Sequence, residues 1–124
     1  MAEHNELGKK GELIARKFLE EKGIQIIETN WRHEKDEIDV IAKDGDELVM
    51  VEVKTRSTRY FGDPSEAVGN AKESFLIRAA EAYVEIHNLN IDIRFDIISI
   101  VIDKKGTHIE YIKDAFYPEL PDLD

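Results

Sequence analysis

The sequence predicts an α/β domain, a mixed sheet flanked by helices, with elements in the order α-β-β-β-α-β-β. Three observations carry that expectation. Two stretches place apolar residues at helical spacing, five short runs are rich in alternating or β-branched residues, and an Asp-Gly turn joins two of those runs. At 124 residues and 42% hydrophobic, the chain has the length and apolar content for one core, and no repeat or linker divides it.

The first helix is read from about Leu7 to Lys22, because Leu7, Ile14, Ala15, Phe18 and Leu19 fall on one side and Gly23 supplies a stop. Strands follow at Ile24–Thr29, Glu37–Lys43 and Leu48–Lys54, with Asp44-Gly45 turning the last two into a hairpin. Asp63-Pro64-Ser65-Glu66 has the residues of a helix start, and Asn70-Ala71-Lys72-Glu73 repeats the pattern. Leu76, Ala79, Ala80 and Tyr83 form that helix's apolar stripe, which Asn88 or Asn90 closes. The alternation of Ile91, Ile93, Phe95 and Ile97 then announces a strand, and Lys104-Lys105-Gly106 turns into a last one near His108–Ile112. Residues 1–113 are expected to form the domain and the acidic, proline-containing residues 114–124 a solvated tail.

Composition narrows the chemistry. With no cysteine, the chain has no disulfide, thiol nucleophile, Cys-ligated zinc or iron–sulfur cluster, which suits a reducing compartment. No apolar run reaches the length of a membrane span, and MAEHNELGKK lacks the apolar stretch of a signal peptide, so a soluble cytoplasmic protein is expected, without membrane association. The net charge of −10 argues against coating nucleic acid by bulk electrostatics, although residues 52–80 carry more bases than acids.

Three carboxylates stand where apolar residues would be ordinary. Asp39 lies among Ile38, Val40 and Ile41; Glu52 follows Val49, Met50 and Val51 on a strand that reads as central, with Lys54 on its face. A two- or four-residue hairpin loop sets Asp39 opposite Met50 or Glu52 and brings the two carboxylates to one face; a three-residue loop without a bulge sends them apart. Converging carboxylates repel unless a cation lies between them, and this oxygen donor set suits Mg²⁺ or Mn²⁺. Otherwise Glu52 and Lys54 make a structural ion pair at the strand exit. Glu12 lies along the edge of the first helix's buried stripe, between Gly8 and Gly11 on one side and Ala15 and Leu19 on the other.

Glu12, Asp39 and the run Glu52-Val53-Lys54 resemble the PD-(D/E)XK nuclease signature, with Ile38-Asp39 in place of its Pro-Asp. Together with Gly11-Glu12, Asn30-Trp31-Arg32, Glu37-Ile38-Asp39, Val51 to Arg56, Phe61-Gly62 and Arg94-Phe95-Asp96, the chain is similar over roughly residues 5–113 to the YraN-like bacterial family, itself similar to archaeal Holliday-junction resolvases. The resemblance implies a restriction-endonuclease-like fold. It also implies Asp39, Glu52 and the Val53 carbonyl as metal ligands, Lys54 as a catalytic residue and Glu12 as an outer metal or water contact.

A metal-dependent nuclease acting on DNA, with branched or structured DNA as its substrate class, is therefore the expectation, and resolvase-like action would require two active sites and hence a homodimer. Arg56, Arg59 and Lys72 are the candidate phosphate contacts, the first two in a polar loop leaving the third strand and the last at a helix start. A non-catalytic nucleic-acid-binding module and a protein-interaction subunit on the same fold are the alternatives. The four histidines share no ligand spacing, and Trp31 reads as a packing residue.

Overall fold

The computed structural model describes residues 2–57 and 70–116. Along the chain, α1 (Ala2–Glu21) precedes β1 (Gln25–His33), β2 (Asp36–Asp44) and β3 (Glu47–Arg56); α2 (Asn70–Ile86) leads to β4 (Asp92–Asp103) and β5 (Gly106–Phe116). The element order is the expected one. Among the described residues the strands form one sheet in the order β1-β2-β3-β4-β5, antiparallel throughout except that β3 and β4 run parallel. A parallel pair needs a crossover, and α2 lies in it.

Each face of the sheet buries one helix. Ala15 and Leu19 of α1 pack on Val40, Ala42, Val49, Val51, Ile98 and Ile100. On the other face, Leu76, Ala79, Ala80 and Tyr83 of α2 cover Ile38, Ile41, Leu48, Met50, Phe95 and Ile97. Strands β3 and β4, buried on both sides, therefore read as nearly continuous apolar runs. Trp31 packs edge-on against Tyr83, with ring centroids 5.1 Å apart, as a core-rim residue.

Both helices end in the same hydrogen-bonded motif. Gly23 (φ 81°) donates to the Glu20 carbonyl and Ile24 to that of Leu19; Asn88 (φ 52°) donates to Glu85 and Leu89 to Val84. These are Schellman caps, with Gly and Asn in the left-handed position each requires. Helix α1 begins at Ala2, earlier than expected, because the polar residues before Leu7 leave no periodic signal. The helix start expected at Asp63 lies outside the described residues. Strand β5 runs to Phe116, whose ring stacks on Phe95 at 4.9 Å, so the expected boundary at residue 113 falls inside a strand.

One buried charge organises the end of the sheet near the β2–β3 turn. Arg94 is 3% exposed and donates to Asp96 at 2.9 and 3.0 Å and to Glu47 at 3.0 Å, with Asp44 at 2.9 Å and the Tyr111 hydroxyl at 3.3 Å. Tyr111 in turn donates to Asp96, and so does the Asp114 N–H, at 2.9 Å. Each nitrogen of the guanidinium faces an acceptor, the condition under which a buried arginine is tolerated.

At the other end, Gly11 lets α1 lie directly on β3. A Cβ built there would overlap the Thr55 side chain, whereas one at Gly8 would meet nothing within 4 Å. Gly11→Ala should therefore destabilise the fold by about 1–3 kcal/mol through overpacking. Gly8→Ala should stabilise it by up to about 1 kcal/mol through helix propensity. Urea unfolding of the two variants checks the contrast.

Candidate metal centre

The hairpin decides which residues meet. Asp44 pairs with Glu47 around a two-residue Gly45-Asp46 loop, and the ladder runs through Ile41 opposite Met50 to Val40 opposite Val51. Only Gly45 of the loop has positive φ (60°), the pattern of a type II′ turn. Continuing that register sets Asp39 opposite Glu52, the second of the two partners that the hairpin left open.

Beyond Val40 and Val51 the sheet divides. The rest of β2 stays paired with β1, through Ile38 opposite Trp31 and Asp36 opposite His33, while the rest of β3 continues along β4 to Arg56 opposite Val101. The pleat of β2 breaks at the same place: Ile38 packs on the α2 side and Val40, of the same parity, on the α1 side. In β1, Asn30 stands between the residues facing these two and adopts φ 52°. Asparagine tolerates that left-handed geometry better than most residues.

Asp39 fills the division. Its Oδ2 accepts the Val53 N–H at 2.9 Å, so a carboxylate replaces the ladder partner that β2 no longer supplies. The Val53 carbonyl leaves β3 on the same side, as the two polar groups of one strand residue do. Glu52 is 9% exposed. Its Oε1 lies 3.3 Å from Lys72 Nζ on α2, and its Oε2, fully buried, has no hydrogen-bond donor among the described residues. A buried carboxylate oxygen without a donor needs either a proton or a cation.

Electrostatics agree with that. Burial, then the neighbouring Asp39 charge, pushes the Glu52 carboxyl from an ordinary 4.5 up to about 7, against the pull of Lys72. Asp39 is also raised, by burial first; the Val53 N–H and a hydrogen bond with Glu52 oppose the rise, and the Glu12 charge adds to it. Near neutral pH the pair is thus poised to hold one proton between them, and a divalent cation would displace it. Donor chemistry fits a hard cation: two carboxylates and a carbonyl oxygen.

Glu12 reaches this region from α1 but does not complete a three-carboxylate cluster; among the described residues no group of three or more His, Asp or Glu side chains is placed to hold a metal ion. It lines, with Asp39, a cleft of about 250 Å³ between α1 and strands β1 and β2. Asn30 links it to the strands. Its side-chain amide lies 3.3 Å from Glu12 Oε2, and with nitrogen and oxygen exchanged the nitrogen donates to Glu12 Oε1 at 3.1 Å and Glu37 Oε1 at 3.2 Å. Sequence reasoning passed over this residue. The available signal was an Asn, a poor strand former, inside an otherwise regular run.

Of the other expected residues, Lys54 is exposed, two positions after Glu52 and with its parity, and makes no ion pair among the described residues. Arg56 is half-buried at the end of β3, and Arg59 lies outside the described residues. Lys72, expected as a phosphate contact, turns its ammonium onto Glu52. No helix among the described residues is long and apolar enough to cross a membrane.

The chain matches a family described as "Uncharacterised protein family UPF0102" over residues 11–100. Similar relatives include a UPF0102 protein of Christiangramia forsetii, 50% identical over 117 residues that cover 94% of this chain and 98% of the relative. Another, from Bacteroides thetaiotaomicron, is 48% identical over 120 residues, covering 97% and 99%.

Between pH 4.5 and about 7 the folded chain holds a proton on Glu52 that the unfolded chain has released. Metal-free stability should therefore be full below that window and fall by a few kcal/mol as pH rises through it. Glu52→Gln should flatten the dependence and be the more stable protein at pH 8. Thermal unfolding from pH 5 to 8 in EDTA reads both effects.

Proposed function

The chain belongs to the uncharacterised protein family UPF0102, and from the geometry of its carboxylate pair we propose that it is a divalent-metal-dependent nuclease hydrolysing phosphodiesters in DNA, with branched DNA as the substrate class. The observation that carries this reading is the buried Asp39–Glu52 pair at the division of the sheet, with one carboxylate oxygen lacking any donor among the described residues. The resemblance of Glu12, Asp39 and Glu52-Val53-Lys54 to the PD-(D/E)XK signature supports it. A family described as uncharacterised supplies no activity of its own.

Asp39, Glu52 and the Val53 carbonyl would hold Mg²⁺ or Mn²⁺. Bound there, the ion would supply Lewis acidity toward a phosphate oxygen and lower the pKa of a water. Asp39 keeps its orientation through the Val53 N–H, so its second oxygen is free to act as ligand. With Glu52 engaged by a cation, Lys72 would be released from its contact with that carboxylate and available to a phosphate. Lys54 would position the attacking water through its Nζ. Glu12, steadied by Asn30, holds a water on the α1 side.

Mixing the protein with branched and linear DNA in Mn²⁺ or EDTA tests the activity directly. Metal-dependent cleavage is expected. Binding without cleavage would favour a nucleic-acid-binding module, and neither would favour a protein-interaction subunit.

Two further outcomes are expected. Calorimetric titration with Mn²⁺ should give one binding event that Asp39→Asn or Glu52→Gln removes; an unchanged isotherm in either variant would sink the ligand assignment. At saturating DNA, Lys54→Ala should lower single-turnover cleavage by several orders of magnitude with little loss of affinity, while Arg56→Ala should weaken binding and reduce the log–log salt slope by about one.

A further inference from the structure

The cleft between α1 and the strands contains more than carboxylates. Lys9, Glu12, Leu13 and Arg16 all line it, with Asn30 and Asp39 on its floor. Their spacing is that of one helical stripe, three and four residues apart, adjacent to the buried stripe of Ala15 and Leu19. The two bases stand on either side of Glu12, about 10 Å apart along the axis at 1.5 Å per residue.

The chain carries 27 acidic residues against 17 lysines and arginines, and Arg32, Lys72, Arg78 and Arg94 each hold a carboxylate. Lys9 and Arg16 have no ion pair among the described residues, although each faces a cleft that contains two carboxylates. Between them Leu13 is 58% exposed, a large apolar side chain that lines the cleft. Alternating cation and apolar surface beside a metal-binding carboxylate suits a ligand with anionic groups at intervals and apolar faces between them.

We propose that this cleft binds one strand of nucleic acid. Lys9 and Arg16 contact phosphates on either side of the one presented to Asp39, and Leu13 packs on an intervening sugar or base. The contacts deepen the nuclease reading and rest on it for the identity of the scissile group. They place the substrate path along α1.

The test is binding of a labelled single-stranded oligodeoxynucleotide to the full chain, by fluorescence anisotropy across a salt series, in EDTA and again in Ca²⁺. At 0.1 M salt each lost phosphate contact to a single strand should weaken binding roughly fivefold, and the pair Lys9→Ala with Arg16→Ala about 25-fold. The log–log salt slope should fall by about 1.4. Arg16→Gln, which keeps the aliphatic stem, should reproduce the single effect if packing is not its cause. Lys17→Ala, exposed on α1 outside the cleft, should bind as wild type. The proposal is overturned if the double variant keeps the wild-type affinity and slope, or if the wild type binds no strand in either buffer. The Mn²⁺ titration reads the metal assignment separately: strand binding that depends on Lys9 and Arg16 in a protein that takes no Mn²⁺ would sustain the cleft and overturn the nuclease reading.

Discussion

The hydrogen bond from the Val53 N–H to the Asp39 carboxylate is the contact on which the site depends. A sheet that divides leaves backbone donors facing each other across a gap, and a buried N–H without an acceptor costs about as much as a lost hydrogen bond. Asp39 removes that cost with a side chain, and in doing so fixes its own orientation. Asn30 and its left-handed φ let β1 follow β2 through the break, so that the pairing of those strands resumes at Trp31 and Ile38. Gly11 lets α1 approach closely enough for Glu12 to reach the same opening. Three backbone features on three elements thus serve one division.

The electrostatics of the opening follow from its dryness. Asp39 and Glu52 stabilise each other only when a positive charge or a proton lies between them. Lys72 neutralises one oxygen of Glu52, and the other has no donor among the described residues. The contrast with Arg94 is instructive, because there each guanidinium nitrogen has an acceptor. Two buried ionic groups on neighbouring strands therefore differ in one respect that matters: one is complete within the chain and the other is not.

Most of the fold was legible because its signals are local. Gly23 and Asn88 end helices through their own φ, and Asp44-Gly45 closes the hairpin through turn geometry, which in turn limits Asp39 to two partners. What local pattern could not show was where pairing stops. The alternation around Ile38 to Ile41 looks regular in sequence, yet the pleat breaks at Asp39 because β2 follows β1 and leaves β3. Lys72 was placed at a helix start correctly, but its contact with Glu52 depends on how α2 docks, a long-range fact. Lys9 and Arg16 were overlooked for a similar reason: on the helix alone they are two solvated bases, and only the strands opposite make them the walls of a cleft.

The Arg94 cluster also bears on how the parallel strands find each other. Valine is the commonest residue of β3 and isoleucine of β4, and sliding one strand along the other by two residues would keep each side chain on its face. Apolar packing alone discriminates poorly among such arrangements. Such a slide would carry the guanidinium roughly 7 Å from Glu47 and Asp44. It would leave the guanidinium with Asp96 on its own strand but remove its other two carboxylates, so that one buried nitrogen loses its acceptor at a cost of about 1–3 kcal/mol. Arg94 therefore acts as an error check on strand alignment, and the alignment it enforces sets Glu52 beside Ile97 and Lys54 beside Ser99.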